Sequence, residues 1–348
     1  MSLSAPCPSP ALSSSRAERG AAARGPAVRG PAVRGPAAQV AQTCDVDEQA
    51  ALLQGWNQRY EQLSAGSFEG RVTSLHLGPI QAWREFSSQA LHQTGALRAG
   101  QLAIGLPSSI PGNTMFCNRS CSEGHAIVFS GDGPFEFVSP GGLEIIDFVV
   151  DRGSLDPYLT ASEREQLQAQ LAQPHLRPVS AHERWRLPIL LSDMQQCLAD
   201  TTPDTLPPQQ LDEMASDVLA AIAAVLRDGV GSEADEQLSY QRRAHIVSMA
   251  RERVVATGAD GSLTVEDLCQ ALAVSRRALQ YSFQEVLGIS PQSYLRAVRL
   301  NGARRAIKQG SSVSDAALAW GFWHFGRFAQ EYKALFAELP SHTCKRYR

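Results

Sequence analysis

Two stretches toward the C-terminal end of the chain repeat one plan, LTVEDLCQALAVSRRALQYSFQEVLG from Leu263 and SVSDAALAWGFWHFGRFAQEYKALF from Ser312. Each reads as a short helix, a tight turn and a second helix, because apolar residues recur at three- and four-residue spacing on either side of a turn signal. In the first stretch Val265, Leu268 and Leu272 face inward, AVS makes the turn, and Leu279, Phe283 and Leu287 face inward from the second helix. Thr264 caps the first helix and Ser275 the second, while Glu266 and Asp267 favour the positive end of the helix dipole. In the second stretch Val313, Ala317 and Leu318 are the inward set, Gly321 closes the helix, and Phe328, Tyr332 and Phe336 follow. Helices this short hold only by packing their apolar faces on one another. Residues 242–348 therefore read as an all-helical region of about seven segments, opened by QRRAHIVSMARERVVAT with Ile246, Ala250 and Val254 on one side.

The segment between the two units, SPQSYLRAVRLNGARRAIKQG, starts at Ser290 and Pro291 and ends at Gly310. At about 19 residues such a helix is about 28 Å long, close to the roughly 34 Å of one DNA turn. Arg296, Arg299, Arg304, Arg305 and Lys308 give it a basic surface. The outward face of the helix capped by Ser275 offers Arg276, Arg277, Gln280 and Tyr281. Arg forks onto guanine, Gln pairs with adenine, and all of them reach phosphate, so these side chains suit a major groove. The second unit leaves His324, Phe325, Arg327, Gln330 and Lys333 outward, and Arg304 and Lys308 are expected on the intervening phosphates. Charge follows the same division. Residues 242–348 carry 16 Lys and Arg against 8 Asp and Glu, whereas 44–241 carry 11 against 26. The formal net charge of −3 thus hides a basic end on an acidic body.

Over about residues 250–348 the sequence resembles the AraC family of bacterial transcription regulators, on TVEDLCQALAVSRRALQYSFQEVLGISPQSYLRAVRL and on the Gly-Phe turn and Phe-rich helix of SVSDAALAWGFWHFGRFAQEYKALFAELPS. The resemblance implies two recognition helices entering consecutive major grooves of double-stranded DNA, and a separate N-terminal domain that senses a ligand or mediates dimerisation. It places Arg277, Gln280 and Tyr281 at base-facing positions of the first helix, and His324, Phe325 and Gln330 near those of the second. Phe325 and Gly326 stand where polar residues are common in the family, so the second helix is expected to read fewer bases.

The front of the chain differs in pattern. Residues 1–43 are rich in Pro, Ala, Gly, Ser and Arg, with the tandem run RGPAVRGPAVRGPA. Such a segment buries too little surface to offset chain entropy, so it is expected to be a disordered tail. An organellar transit peptide lacks the periodicity to support it, and coding sequence upstream of the true start is the remaining alternative. DVDEQAALLQGWNQ (45–58) reads as a short helix. From 68 to 150, runs such as RVTSLHLG, QLAIGLP, HAIVFS, FEFVSP and LEIIDFVVD, punctuated by Gly and Pro, read as strands of a small barrel or sandwich. TASEREQLQAQLAQ reads as a helix. So does PPQQLDEMASDVLAAIAAVLRDG, which starts at Pro208, ends at Gly229 and carries a stripe from Leu211 to Leu226. That stripe either packs on its own β domain or meets a second copy.

The expected architecture is α+β. A β-rich, barrel- or sandwich-like sensor domain with flanking helices occupies 44–235, and an all-α double helix-turn-helix domain of about seven helices occupies 240–348. Seven scattered cysteines fit reduced thiols better than a disulfide framework. Cys117, Cys121 and His125 would align three soft ligands on a helix, but their surroundings are turn-forming and no fourth ligand is evident, so no metal or cofactor is expected. His76 and Glu85 lack the second nearby His of an oxygenase site, and there is no phosphate loop, Ser/His/Asp arrangement or zinc-held cysteine nucleophile, so no catalytic residue is assigned. No run approaches the roughly 18 apolar residues of a membrane helix. The expectation is a cytoplasmic, homodimeric, ligand-responsive regulator, most often an activator, with double-stranded DNA, an unidentified small-molecule effector and RNA polymerase as partners. A metal- or thiol-responsive repressor, or a DNA-binding domain fused to a small-molecule enzyme, is the alternative.

Overall fold

LEIIDFVVD, the most apolar run of the front half, forms the central strand of a sheet covered on both faces, and the rest of the β domain is arranged around it. The computed structural model describes residues 37–348 apart from 111, 113, 173, 201–207, 228–235 and 258–262. The larger sheet runs in the order β1 (Ala37–Thr43), β3 (Gly70–Leu77), β4 (Ile80–Ser87), β11 (Leu143–Asp151), β6 (Gln101–Ser109), β9 (His125–Ser130) and β12 (His175–Pro178). The smaller runs β2 (Asn57–Gln62), β5 (Leu91–Ala96), β10 (Pro134–Ser139), β7 (Thr114–Phe116) and β8 (Arg119–Cys121). Neighbouring strands pair antiparallel, as in the β11–β4 ladder where Asp147 faces Trp83.

Strand alternation sorts β11 into two sets. Ile146, Phe148 and Val150 join a core with Leu187 and Leu191 of α3 (Ala181–Asp200) and Val218, Ile222 and Val225 of α4 (Pro208–Arg227). Leu143, Ile145 and Val149 point the other way, into a core between the sheets with Trp83, Phe116, Phe129, Phe135 and Phe137. The α4 stripe therefore packs on its own sheet; its expected end at Gly229 lies outside the described residues. Helix α2 (Ala161–Gln170) begins with a capping box between Thr160 and Glu163.

Three sequence expectations are corrected here. Ala37–Thr43, assigned to the tail, form β1 and pair with β3 through the whole of their length. The rest of the tail, 1–36, lies outside the described residues. The helix read over 45–58 is only α1 (Val46–Leu52), after which Asn57–Gln62 extend as β2, where pairing with β5 along the edge of the smaller sheet takes up their backbone groups. Helix α3 was not foreseen; Pro188 within it and its weak apolar periodicity hide it in the sequence.

The helical domain follows as α5 (Glu236–Thr257), α6 (Val265–Ala271), α7 (Arg276–Leu287), α8 (Pro291–Lys308), α9 (Val313–Ala319), α10 (Phe325–Phe336) and α11 (Pro340–Arg346). Its core is built from Ala250, Val254, Leu268, Leu279, Phe283, Phe328, Tyr332 and Phe336, as the periodicity requires. Leu318 departs from expectation: Ala316 and Ala317 are the buried residues of α9, and Leu318 is 40% exposed. Gly302 sits where a Cβ would lie 2.3 Å from the Trp320 ring, so only glycine lets the end of α9 approach α8 this closely.

The two domains meet along α8. Asp45 caps α1 by accepting from the backbone N–H of Asp47 and Glu48 at 2.9 and 3.1 Å, and the same carboxylate takes Arg304 at 3.2 Å and Lys308 at 2.5 Å. Arg305 pairs with Asp47 at 3.0 Å and Glu61 at 2.9 Å. Asn301 exchanges hydrogen bonds with the backbone of Gln62, at 3.1 and 2.9 Å. A second cluster joins β5, β10, α5 and α8: His92 Nε2 lies 2.6 Å from Glu136, His92 Nδ1 lies 3.1 Å from the Tyr294 hydroxyl, and Arg251 binds Glu136. Burial alone would push Asp45 up, but Arg304 and Lys308 outweigh it and hold the carboxyl below its usual range.

Behind this seam, Gln49 of α1 donates to Glu85 at 2.7 Å, and Tyr60 donates to the same carboxyl at 3.0 Å. Gly70 makes room for Gln49, since a Cβ there would meet its Oε1 at 1.5 Å. Glu85 and Asp147 line a cavity of about 20 Å³ between the sheets, beside Trp56, Phe129 and Phe135. Burial pushes Glu85 up to about 7 against the opposing pull of the Gln49 and Tyr60 hydrogen bonds, and pushes Asp147 well above its ordinary value.

Two predictions follow from these contacts. Asp45→Ala removes a helix cap and leaves Arg304 and Lys308 buried without their shared carboxylate, so chemical denaturation should show a loss of about 4 kcal/mol. An unfolded Glu85 ionises near 4.5 and the folded one near 7, so in that window the folded state holds a proton that the unfolded state has released. Stability falls as pH rises through it. Glu85→Gln should therefore gain on the wild type from about pH 5 to about pH 8, by up to about 3 kcal/mol in matched melts.

Candidate nucleic-acid interface

Both second helices of the repeated plan are held from behind and bare in front. In the first unit Thr264 and Asp267 form a capping box on α6, as the sequence suggested for Thr264. The turn then passes through Ala273 at φ +51°, a left-handed position that lets the chain reverse before α7. Ser275 caps α7 by accepting from the Ala278 N–H at 3.1 Å, and Gly288 ends the helix at φ +69°. Leu279, Phe283 and Val286 are buried behind, which turns Arg276, Arg277, Gln280 and Tyr281 to solvent. The Arg277 guanidinium lies 5.5 Å from the centre of the Tyr281 ring, one helical turn on, so the two present a joint polar and aromatic surface. Arg276 meets Glu266 at 3.0 Å in a fully exposed pair.

In the second unit α10 buries Phe328, Tyr332, Leu335 and Phe336 and leaves His324, Phe325, Arg327, Gln330 and Lys333 exposed. Trp323, which the sequence reading passed over, is 74% exposed immediately before this helix, and Phe325 is 47% exposed. An exposed aromatic next to an exposed histidine at a helix start was a visible signal in WHFGRF. Gly326 stands on the same face, and a Cβ built there would touch nothing within 4 Å. No packing within the chain accounts for this glycine.

The structure brings together ten of the sequence-selected residues on these two exposed faces: Ser275, Arg276, Arg277, Gln280, Tyr281, His324, Phe325, Arg327, Gln330 and Lys333. It places Arg304 and Lys308 elsewhere. Arg304 is only 5% exposed, held by Asp45 and by Glu338 at 2.9 Å, with its guanidinium 4.5 Å from the Phe336 ring. Lys308 is engaged by Asp45 and Asp47. In this structure neither is presented to a phosphate, because that side of α8 is covered by the acidic edge of the β domain.

The Cys117, Cys121 and His125 spacing does not produce a helical face. Cys117 and Asn118 form the left-handed turn of the β7–β8 hairpin, at φ +44° and +67°. Cys117 exchanges contacts with the backbone of Glu136, Cys121 donates to Ser122, and His125 lies 2.7 Å from the Ser122 hydroxyl. Burial pushes both thiols up to about 12. Among the described residues no three His, Cys, Asp or Glu side chains are grouped to hold a metal ion. No described helix is long and apolar enough to cross a membrane.

Residues 268–346 match the model of a helix-turn-helix domain family. The chain is 42% identical over 83 residues to the probable thc operon regulatory protein of Rhodococcus erythropolis, covering 23% of this chain and 25% of that protein. It is 36% identical over 102 residues to XylDLEGF operon transcriptional activator 3 of Pseudomonas putida, covering 27% of this chain and 31% of that one. The chain thus spans about a quarter to a third of the length of these curated relatives. The solved structure of the AraC-like transcriptional activator CuxR aligns with 81% of this chain and 100% of its own, at 18% identity and a TM-score of 0.39. With two helix pairs joined by α8 and a family match that runs from α6 through α11, residues 268–346 form a helix-turn-helix domain.

Proposed function

We propose that this protein is a sequence-specific DNA-binding transcription regulator that reads two consecutive major grooves with α7 and α10, under the control of a small molecule acting on the β domain. The observation that carries this reading is the pair of exposed polar helix faces, one on each unit, anchored from behind by Leu279 and Phe283 and by Phe328 and Tyr332. Arg277 and Gln280 have the donor and acceptor geometry for guanine and adenine edges. Gly326 leaves the backbone at the start of α10 open to close approach by a duplex, which supplies the reason for a glycine that packing does not explain. The names of the relatives, operon regulators and activators, favour activation; contact with RNA polymerase, a homodimer and a cytoplasmic location are further parts of the proposal.

The test is binding-site selection from a random duplex library, followed by titration of the selected site. Arg277→Ala and Gln280→Ala should relax preference at one base pair each, costing about 1–3 kcal/mol there, with little change on unrelated DNA. Equal affinity of Arg277→Ala for selected and unrelated duplexes, at wild-type strength for both, would remove α7 as a reader. Gly326→Ala separates the role of α10: the variant should melt higher by about 0.5–1 kcal/mol of stability yet bind the selected site more weakly.

A further inference from the structure

The two units leave an open cleft of about 460 Å³ between them, bordered by the starts of α7 and α10 and floored by α8. Four arginines reach it, Arg276, Arg296, Arg299 and Arg327, against two carboxylates, Glu266 and Glu331. Glu331 is shared, 3.0 Å from Arg296 and 2.7 Å from Arg327. Arg299 is steered into place by donating to the Leu263 carbonyl at 2.6 Å, and has no carboxylate partner among the described residues. Burial and the neighbouring charge of Arg296 both weaken its hold on its proton, and the one carboxylate beside the two like charges, Glu331, is shared with Arg327 as well. Such a pair calls for an anion. The opposite side of α8 supplies none of this: Arg304, Arg305 and Lys308 point to the β domain and are matched by Asp45, Asp47 and Glu61.

We infer that this cleft seats the phosphodiester backbone that runs between the two major grooves, with Arg296 and Arg299 as its cations and Glu331 as the carboxylate that a phosphate displaces. The inference rests on the reading of α7 and α10 as recognition helices, because their starts border the cleft and a duplex spanning both must carry its intervening backbone past this point. It moves the sequence-independent part of binding from Arg304 and Lys308 to the other face of the same helix. It also makes Glu331 an internal competitor that occupies Arg296, together with Arg327, until phosphate replaces it.

The experiment uses the full chain and a random-sequence duplex of about 30 base pairs, titrated at several salt concentrations, because phosphate contacts do not depend on sequence. Arg296→Gln and Arg299→Gln should each flatten the plot of log affinity against log salt by about 0.9. Arg299→Lys keeps the charge and should keep the slope, which separates an ionic role from loss of the Leu263 hydrogen bond. Glu331→Gln should tighten binding several-fold at low salt. Arg152→Gln, on the β domain, should change nothing. Wild-type slopes in both glutamine variants, with the duplex still bound, overturn the inference alone and leave the recognition helices intact. A slope lost in Lys308→Gln and kept in Arg296→Gln overturns it in favour of the other face. Failure of the wild type to bind any duplex at low salt overturns both this inference and the functional reading on which it rests.

Discussion

The carboxylate of Asp45 is where the two halves of the molecule are tied. It closes the first turn of α1 and simultaneously accepts Arg304 and Lys308 from α8, so a local helix cap and a domain junction share one group. A buried ion pair of this kind contributes little net stability over a well-packed apolar alternative, but removing one partner is costly, because the other charge remains out of water. Geometry follows from this asymmetry. The bidentate reach of Arg304 to Asp45 on one side and Glu338 on the other, with Phe336 beneath it, leaves α8 few orientations relative to the β domain. Arg305 and the reciprocal Asn301–Gln62 bonds remove most of those that are left.

The seam continues into the β domain without a break in hydrogen bonding. Gln49 lies on the helix that Asp45 caps and donates to Glu85; Tyr60 donates to Glu85 through its hydroxyl and accepts Arg305 through its backbone carbonyl. A change in the charge of Glu85 must therefore be accommodated by two residues, each directly connected to groups that hold α8. Contact of this kind gives a physical route between the cavity and the helical domain; a coupling free energy is a separate quantity, measured between two ligands.

Much of the fold was legible because its physics is local. Three- and four-residue spacing pointed to the helices of the two repeated units, and Thr264, Ser275 and Gly288 mark their ends by chemistry that operates within a few residues. The exposed residues of α7 and α10 follow from the same periodicity, since fixing the buried face fixes the other. What the sequence could not reveal is non-local. Ala37–Thr43 have the composition of the tail and become a strand only because β3 offers an edge. Arg304 and Lys308 share a helix and a charge with Arg296 and Arg299, and nothing in the order of residues says that an acidic edge from more than two hundred residues earlier covers one pair and not the other.

That division of α8 into two basic faces also bears on how α7 and α10 differ. On α7 the exposed residues are long and polar, so under the proposed function interaction energy can be spent on base edges, with Tyr281 supporting Arg277. On α10 the corresponding stretch opens with Trp323, His324, Phe325 and Gly326, three rings and a bare backbone, which favour close packing and stacking over donor and acceptor matching. A unit that reads little must still be held in register, and register comes from backbone contacts. Arg296 and Arg299 lie on the helix joining the units, and Arg296 is bridged to α10 through Glu331. Under the proposed reading of α7 and α10, these two arginines fix the second unit against the duplex once the first has found its bases, which makes an uneven pair of helices workable as a single reader.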